Sequence, residues 1–113
     1  MKITLEMLRS KNACVDGLAW VEEHLPDGAE YQDFLDALAA ADKPDWAGWL
    51  IATFGALPNA VKVIRELSPG TKHIYAAGSL RLETHIRVVG RIEAGEGIEA
   101  GGGIEAGEGI EAG

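Results

Sequence analysis

Six glutamates recur at regular intervals in the last 22 residues of the chain, a stretch without lysine or arginine. Four of them belong to copies of Ile-Glu-Ala-Gly that start six residues apart, and the full set is Glu93, Glu96, Glu99, Glu105, Glu108 and Glu111. Regular carboxylates could bind Ca²⁺, keep a glycine-rich segment soluble, or imitate a nucleic-acid backbone. Ca²⁺ takes about six to eight oxygen ligands, and single glutamates without Asp or Asn make a poor cage. We therefore expect no metal site here.

Other chemistry is sparsely represented. The three histidines, His24, His73 and His85, are too scattered to predict a metal triad. The segment "GEGIEAGGG" lacks the Lys and Ser/Thr of a phosphate-binding loop. Cys14 is the only cysteine and falls on the apolar side of a predicted helix, which favours a buried structural thiol. We expect no catalytic residue and no cofactor, and hence a protein that is not an enzyme.

The net charge of −8 is unevenly distributed. Residues 1–61 contain four basic and ten acidic side chains, residues 62–91 six basic and two acidic, and residues 92–113 six acidic and none basic. We call residues 62–91 the basic band. A chain this acidic is a poor candidate for direct nucleic-acid binding, which needs concentrated positive charge. Its acidic surface is better suited to a basic protein partner.

Neither a membrane span nor a secretion signal is expected. The longest apolar stretch, "WAGWLIATFGALP", is too short to cross a bilayer, and the N-terminus "MKITLEMLRS" lacks the apolar core of a signal peptide. We therefore expect the cytoplasm as the location.

Residues 1–57 show helical periodicity. Apolar residues recur three or four positions apart in several stretches, with an expected break near residues 10–12. Pro44 suits the start of a helix and Gly55 its end. The three tryptophans, Trp20, Trp46 and Trp49, lie in this half and are expected in its core. The pattern predicts a small helical module.

A six-residue repeat runs from residue 74 to the end of the printed sequence. Position one is always Ile or Leu, position three is always apolar, and position two is polar. The position-one residues are Ile74, Leu80, Ile86, Ile92, Ile98, Ile104 and Ile110. Inward–outward–inward alternation predicts short strands, and the glycines that follow predict corners at positive φ.

We therefore predict an α+β protein with a helical module over 1–57, a connector over 58–73, and a short parallel β-helix or solenoid of hexapeptide repeats over 74–113. Two or three hexads could form one turn. The alternation of Glu96, Gly102 and Glu108 weakly favours two. An uncovered last turn would expose strand edges, so we expect a homodimer formed through Ile98, Ile104 and Ile110.

The hexads resemble those of small proteins, often encoded by phages or prophages, that end in runs of Ile-x-Ala-Gly-x-Gly or Ile-x-Ala-Gly-x-Ser. Residues 12–55, "NACVDGLAWVEEHLPDGAEYQDFLDALAAADKPDWAGWLIATFG", also resemble a helical module found ahead of assorted repeats in such proteins. The resemblance implies a mobile-element setting, in which small acidic proteins frequently block host defence enzymes. The hexads are also similar to those of hexapeptide acyltransferases, whose arrays are much longer and carry a catalytic His between subunits.

The resulting hypothesis is a non-enzymatic protein-binding module, an anti-CRISPR-like inhibitor of a host nucleic-acid-handling or defence complex. The six glutamates would act as a nucleic-acid mimic against a basic surface. The alternative is a structural protein that assembles through its solenoid.

Overall fold

The computed structural model describes residues 1–112; Gly113, the last residue of the predicted repeat, lies outside that range. The first half contains β1 (Lys2–Ile3), α1 (Leu5–Ser10), α2 (Val15–His24), β2 (Ala29–Glu30), α3 (Tyr31–Ala40) and α4 (Pro44–Phe54). The second half contains β3 (Val61–Ile64), β4 (Ile74–Ala76), β5 (Ser79–Leu82), β6 (Ile86–Val88), β7 (Arg91–Ala94), β8 (Ile98–Ala100), β9 (Ile104–Ala106) and β10 (Gly109–Ala112). The predicted α+β class is confirmed.

The helix boundaries follow from local sequence. The predicted break is present, because α1 ends at Ser10 and α2 begins at Val15. The N-cap of α2 is Cys14, whose Sγ accepts a hydrogen bond from the Gly17 N–H at 3.4 Å. Cys14 is exposed at this position, so the expectation of a buried cysteine is wrong. Pro44 opens α4, and Gly55 ends it with φ of 75°.

The four helices surround one apolar core. Its buried members include Leu8 of α1, Val21 of α2, Leu35 of α3 and Leu50 of α4. The three tryptophans are half-buried and pack around this core rather than at its centre. Two residues from the second half, Tyr75 and Ala77, belong to the same core, so the helices pack directly on the strands. No helix within residues 1–112 is long and apolar enough to span a membrane.

The strands of the second half form three parallel sheets whose paired residues stand eighteen positions apart. Ile74 pairs with Ile92, and Ile92 in turn pairs with Ile110. The sheet orders are β4-β7-β10, β3-β5-β8 and β6-β9. Successive strands along the chain thus belong to different sheets, and every third hexad returns to the same sheet. The pairing follows three hexads, so the twelve-residue alternation does not set the period.

Positions one and three of the repeat face a shared interior. Ile74, Leu80 and Ile86, one from each sheet, belong to a single buried cluster, together with position-three residues such as Leu82 and Val88. The predicted inward alternation is therefore confirmed for the hexads between residues 74 and 94. Ile98 and Ile104 pack on the edge of this cluster and are partly buried.

Several repeat glycines serve close packing and not positive φ. Among the described repeat glycines, only Gly109 has positive φ, at 125°. A methyl group on Gly95 would overlap the carbonyl oxygen of Ala77, and one on Gly107 would meet that of Val89 at 2.5 Å. Each glycine thus lies against the backbone eighteen residues earlier. The expectation of positive-φ corners is therefore wrong at these positions. Glycine is needed there because the two backbones approach too closely to leave room for a Cβ.

The helical half covers the outer edge of β4 through one side chain. Gln32 of α3 donates a hydrogen bond to the Tyr75 carbonyl at 2.7 Å and accepts one from the Ala77 N–H at 3.0 Å. Its amide thus acts on that edge as a neighbouring strand would. The segment predicted as a connector, 58–73, contains β3, whose Lys62 donates to Asp36 of α3 at 3.0 Å.

Candidate functional site

Three of the predicted acidic residues pair with arginines of the basic band. Arg81 lies 3.2 Å from Glu99, Arg87 lies 3.4 Å from Glu105, and Arg91 lies 3.3 Å from Glu111. The first two pairs join residues directly opposite each other on neighbouring strands. The glutamate side chains remain 75%, 60% and 64% exposed, so each pair is a surface contact worth about 0–1 kcal/mol. The pairs leave these carboxylates accessible.

Two further glutamates lie in turns that lead into outer strands. Glu96 follows β7, is half-buried, and accepts from the Ser79 hydroxyl at 3.3 Å. Glu108 follows β9 and is exposed. We call the accessible set the acidic rim, and it consists of Glu96, Glu99, Glu105, Glu108 and Glu111. Because β8, β9 and β10 are each the outer strand of a different sheet, the rim spans all three sheets.

Glu93 differs from the rest of the predicted set, because it is buried. The sequence places it at the outward position two, but α4 packs over β7, and the residue is only 6% exposed. Its Oε1 has no hydrogen-bond partner in the described residues and lies 3.7 Å from Arg91 Nη2. Burial, and secondarily the charge of Glu111, raises the pKa of the Glu93 carboxyl, and Arg91 opposes this shift. The expectation that Glu93 belongs to an exposed surface is wrong.

Two other polar atoms near Glu93 are also buried without a partner among residues 1–112: the Tyr75 hydroxyl and Arg91 Nε. Tyr75 is the β4 residue opposite Glu93, and burial raises its pKa to about 12. Three orphaned polar atoms therefore gather where the helices cover the β4-β7-β10 sheet. Sequence reasoning missed this cluster, since nothing in a hexad indicates which sheet a helix will cover.

A shallow cavity of about 470 Å³ opens beside this cluster. It is lined by Ile51, Glu93, Ala94, Ile110, Glu111 and Ala112, and we call it the notch. One wall is α4 and the floor is β7 and β10. Its apolar side chains and two carboxylates lie next to the one guanidinium of Arg91. The cluster thus holds two negative charges against one positive charge when both glutamates are ionised.

The residues predicted for self-association are partly accessible. Ile98 of β8 and Ile104 of β9 are half-buried, whereas Ile110 of β10 is 43% exposed. They occupy the same outer strands as the acidic rim. Apolar and acidic groups therefore share this side of the molecule.

His73 is the histidine most involved in structure, and it does not resemble a catalytic base. Its Nδ1 accepts from the Arg91 backbone N–H at 2.9 Å, so we assign the ring proton to Nε2, which donates to Asp42 at 2.6 Å. Hydrogen bonds from His73 and Lys72 hold the pKa of the Asp42 carboxyl below its usual value. Both ring nitrogens are occupied, and the imidazole is buried. Through these hydrogen bonds, His73 connects the end of α3 to the starts of β4 and β7.

The other ionisable residues show no metal centre. Among residues 1–112, no three His, Cys, Asp or Glu side chains are arranged to hold a metal ion. His85 is exposed in a turn, and His24 contacts the Trp20 carbonyl in α2. A second cavity of about 690 Å³ lies between the end of α3 and residues 62–75, but Asp42, Lys72 and His73 on its wall already satisfy one another.

Comparison with known proteins bears on the helical half. Residues 1–54 match the family model of the YdhT N-terminal domain, a range that ends with α4 and stops before β3. The chain has no significant match among curated proteins or solved structures. The parallel sheets and the acidic rim therefore lie outside the matched range, and the N-terminal half of the chain is similar to the YdhT N-terminal domain.

Proposed function

We propose that the protein is a non-enzymatic binding module in which a three-sided β-solenoid, with eighteen residues per turn, presents the acidic rim to a basic protein surface. The partner would be a nucleic-acid-handling or defence complex of a host cell, and binding would inhibit it by occupying its nucleic-acid groove.

The solenoid is supported by three independent features of the strands. Paired residues are separated by a constant eighteen positions in all three sheets. Position-one residues of the three sheets share one buried cluster. Glycines such as Gly95 contact the backbone one period earlier. A chain that coils with three sides per turn accounts for all of these, since each side then stacks on its own predecessor.

The observation that carries the binding proposal is the segregation of charge along the strands. Every basic residue of the second half lies between residues 62 and 91, and the outer strands that follow carry only glutamates. The side of the molecule formed by β8, β9 and β10 therefore contributes only negative charges, although exposed Arg81 and Arg87 of the neighbouring strands pair with two of them. Such a surface attracts a basic groove at long range and raises the association rate.

Self-association through the same side is less favourable but is supported by one observation, the partly exposed row of Ile98, Ile104 and Ile110. Two copies meeting rim to rim would oppose five glutamates to five glutamates. Charges at neighbouring-strand distance repel by about 1 kcal/mol per pair in water, so such a dimer needs high salt or protonation. Assembly is therefore our second candidate function.

The first experiment is a capture of proteins from a bacterial lysate on immobilised wild type, with three variants in parallel. A quadruple Glu→Gln variant at 96, 99, 105 and 108 removes rim charge. An Arg81→Gln/Arg87→Gln variant breaks the same surface pairs but leaves the rim acidic. An Asp33→Asn/Glu23→Gln variant removes acid from the helical half.

We expect wild type to capture a nucleic-acid-handling complex, and we expect added DNA or RNA to displace it. The rim variant should lose the complex, the arginine variant should retain it, and the helix variant should behave as wild type. Capture should also weaken steeply as salt rises from about 0.1 M to 0.5 M, because the Debye length shortens. Capture that survives loss of the rim charges would contradict the proposal.

Assembly has a separate test. Sedimentation of purified protein over a hundredfold concentration range should show dimers under the second hypothesis, more of them at high salt, and Ile110→Glu should abolish them. A monomer throughout would remove assembly from consideration.

A further inference from the structure

The notch contains a buried carboxylate that the described part of the chain does not satisfy. The Glu93 side chain is 9% exposed, lines the cavity, and has an Oε1 atom without a hydrogen-bond partner. Leaving such an acceptor unpaired costs free energy, and the cost is larger for a charged group. Because Oε1 itself is enclosed beneath α4, a donor from outside would approach the carboxylate through the cavity that Glu93 lines.

The charge balance selects the kind of donor. Among residues 1–112, Arg91 is the only cation that pairs with Glu93 and Glu111, and it lies 3.7 Å from one carboxylate and 3.3 Å from the other. The cluster therefore carries one excess negative charge when both acids are ionised. A single positive group would neutralise it, whereas an anion or a neutral acceptor would add a further unmatched group.

The residues that line the notch indicate the shape of the cation that would fit it. Ile51 of α4 lines one side of the cavity, and Ala94, Ile110 and Ala112 of β7 and β10 line the other. Apolar lining beside two carboxylates complements a side chain with a hydrocarbon stem and a charged tip, which is the form of lysine and arginine. A hydrated inorganic ion would leave the apolar walls without contact.

We propose that the notch binds one lysine or arginine side chain of a partner protein, with its cationic tip on Glu93 and Glu111 and its stem against Ile51 of α4. The source of that side chain rests on the proposed function, whereas the cation site itself does not. The acidic rim would attract a basic surface over long distance, and the notch would anchor one residue of that surface.

The test uses small analogues of the two side chains, so it needs no identified partner. We would titrate n-butylammonium and n-propylguanidinium into ¹⁵N-labelled protein at low salt and follow amide shifts by NMR. Gly48 is a suitable reporter, because its Cα hydrogens point at Glu93, where an added Cβ would lie 3.5 Å from Oε1. Neutral n-butanol provides the same stem without charge.

We expect saturable shifts at Gly48, Ile51 and Ile110 with dissociation constants in roughly the millimolar range, as suits fragments of about five to seven heavy atoms. Glu93→Gln should weaken binding about tenfold or more. The control Glu99→Gln removes an equal charge from another sheet and should change affinity little. Whichever analogue binds more tightly identifies the preferred side chain.

Three results would overturn the proposal: no saturable shift with either cation, equal shifts with n-butanol, or undiminished binding by Glu93→Gln. Binding of the analogues together with an empty lysate capture would keep the cation site and reject the proposed partner class. Partner capture without analogue binding would keep the proposed partner class and reject the cation site.

Discussion

At the scale of single residues, Glu93 and Glu99 show how one repeat position produces two chemical environments. Both occupy position two of a hexad, yet Glu99 is exposed beside Arg81 while Glu93 lies beneath α4. The difference arises from what covers each sheet and not from the residue or its neighbours in sequence. Burial without a hydrogen-bond partner makes Glu93 a source of instability in the folded protein.

We predict that Glu93→Gln stabilises the protein at pH 7 by about 1 kcal/mol, or a few degrees in Tm. The folded-state pKa of Glu93 is raised above its ordinary value of 4.5. The penalty is therefore absent at pH values below the unfolded pKa, where both states are protonated, and it grows as pH rises through the folded pKa.

Thermal melts of wild type and variant from about pH 3.5 to pH 8 would check this. The Tm difference should be near zero at the acid end and positive at neutral pH. Glu99→Gln, at an exposed position, is the control and should show no such pH-dependent gain. A Glu93→Gln variant less stable than wild type at pH 7 would mean that the Arg91 contact outweighs the desolvation of the carboxylate.

At the scale of secondary-structure elements, the contact between α3 and β4 depends on Gln32. This side chain hydrogen-bonds the backbone of Tyr75 and Ala77, both of which are buried. Without it, a carbonyl and an N–H group at the sheet edge would be enclosed by protein and unpaired. A helix thus completes a sheet edge that would otherwise be open to another strand.

We predict that Gln32→Ala destabilises the protein by roughly 2–4 kcal/mol, because two buried backbone groups lose their partners. Urea denaturation would measure the change. The neighbouring exposed substitution Asp33→Ala should cost less than about 1 kcal/mol, mainly through the helix dipole. Equal effects of the two substitutions would show that water replaces the Gln32 amide.

The sequence predicted these elements unevenly. The alternation of positions one to three was sufficient to predict the strands from residue 74 onward, because inward and outward side chains differ in polarity. The strand β3 was missed because Lys62 occupies position one, where its ammonium reaches Asp36 instead of the interior. The eighteen-residue period does not follow from a six-residue repeat, which does not specify how many hexads separate paired strands, and the alternation of Glu96, Gly102 and Glu108 weakly favours the wrong number, two.

The candidate site was less predictable than the strands. The acidic rim follows from the repeat itself, so its residues could be named from sequence. The burial of Glu93 and the notch depend on how α4 packs on β7, a contact between distant parts of the chain that no local pattern encodes. Cys14 illustrates the same limit, because its thiol caps α2 although its spacing suggested burial.

At the scale of the whole molecule, two apolar cores adjoin at the β4 strand. Ile74 and Ala76 belong to the core between the sheets, whereas Tyr75 belongs to the helical core. Alternate side chains of one strand thus enter both cores. Loss of β4 would expose both cores to solvent, so we expect the two halves of the chain to unfold together.

We predict that Ile86→Ala, a cavity-forming change in the core between the sheets, lowers the free energy of unfolding reported by tryptophan fluorescence by about 2–5 kcal/mol. Ile86 is fully buried, and all three tryptophans lie in the helical half. Only cooperative unfolding can transmit the change to them. Ile110→Ala, at a 43% exposed position, is the matched control and should cost less. An unchanged tryptophan transition would indicate two independently unfolding units.

The eighteen-residue spacing of paired strands has a consequence for how such a chain can change length. Removing one hexad would transfer every later residue to the next sheet, so that Glu111 would leave the side covered by α4 and Arg91 would lose its partner. Removing eighteen residues would return each later side chain to its original side. A change in length that leaves later side chains in their original sheets must therefore be a multiple of eighteen residues.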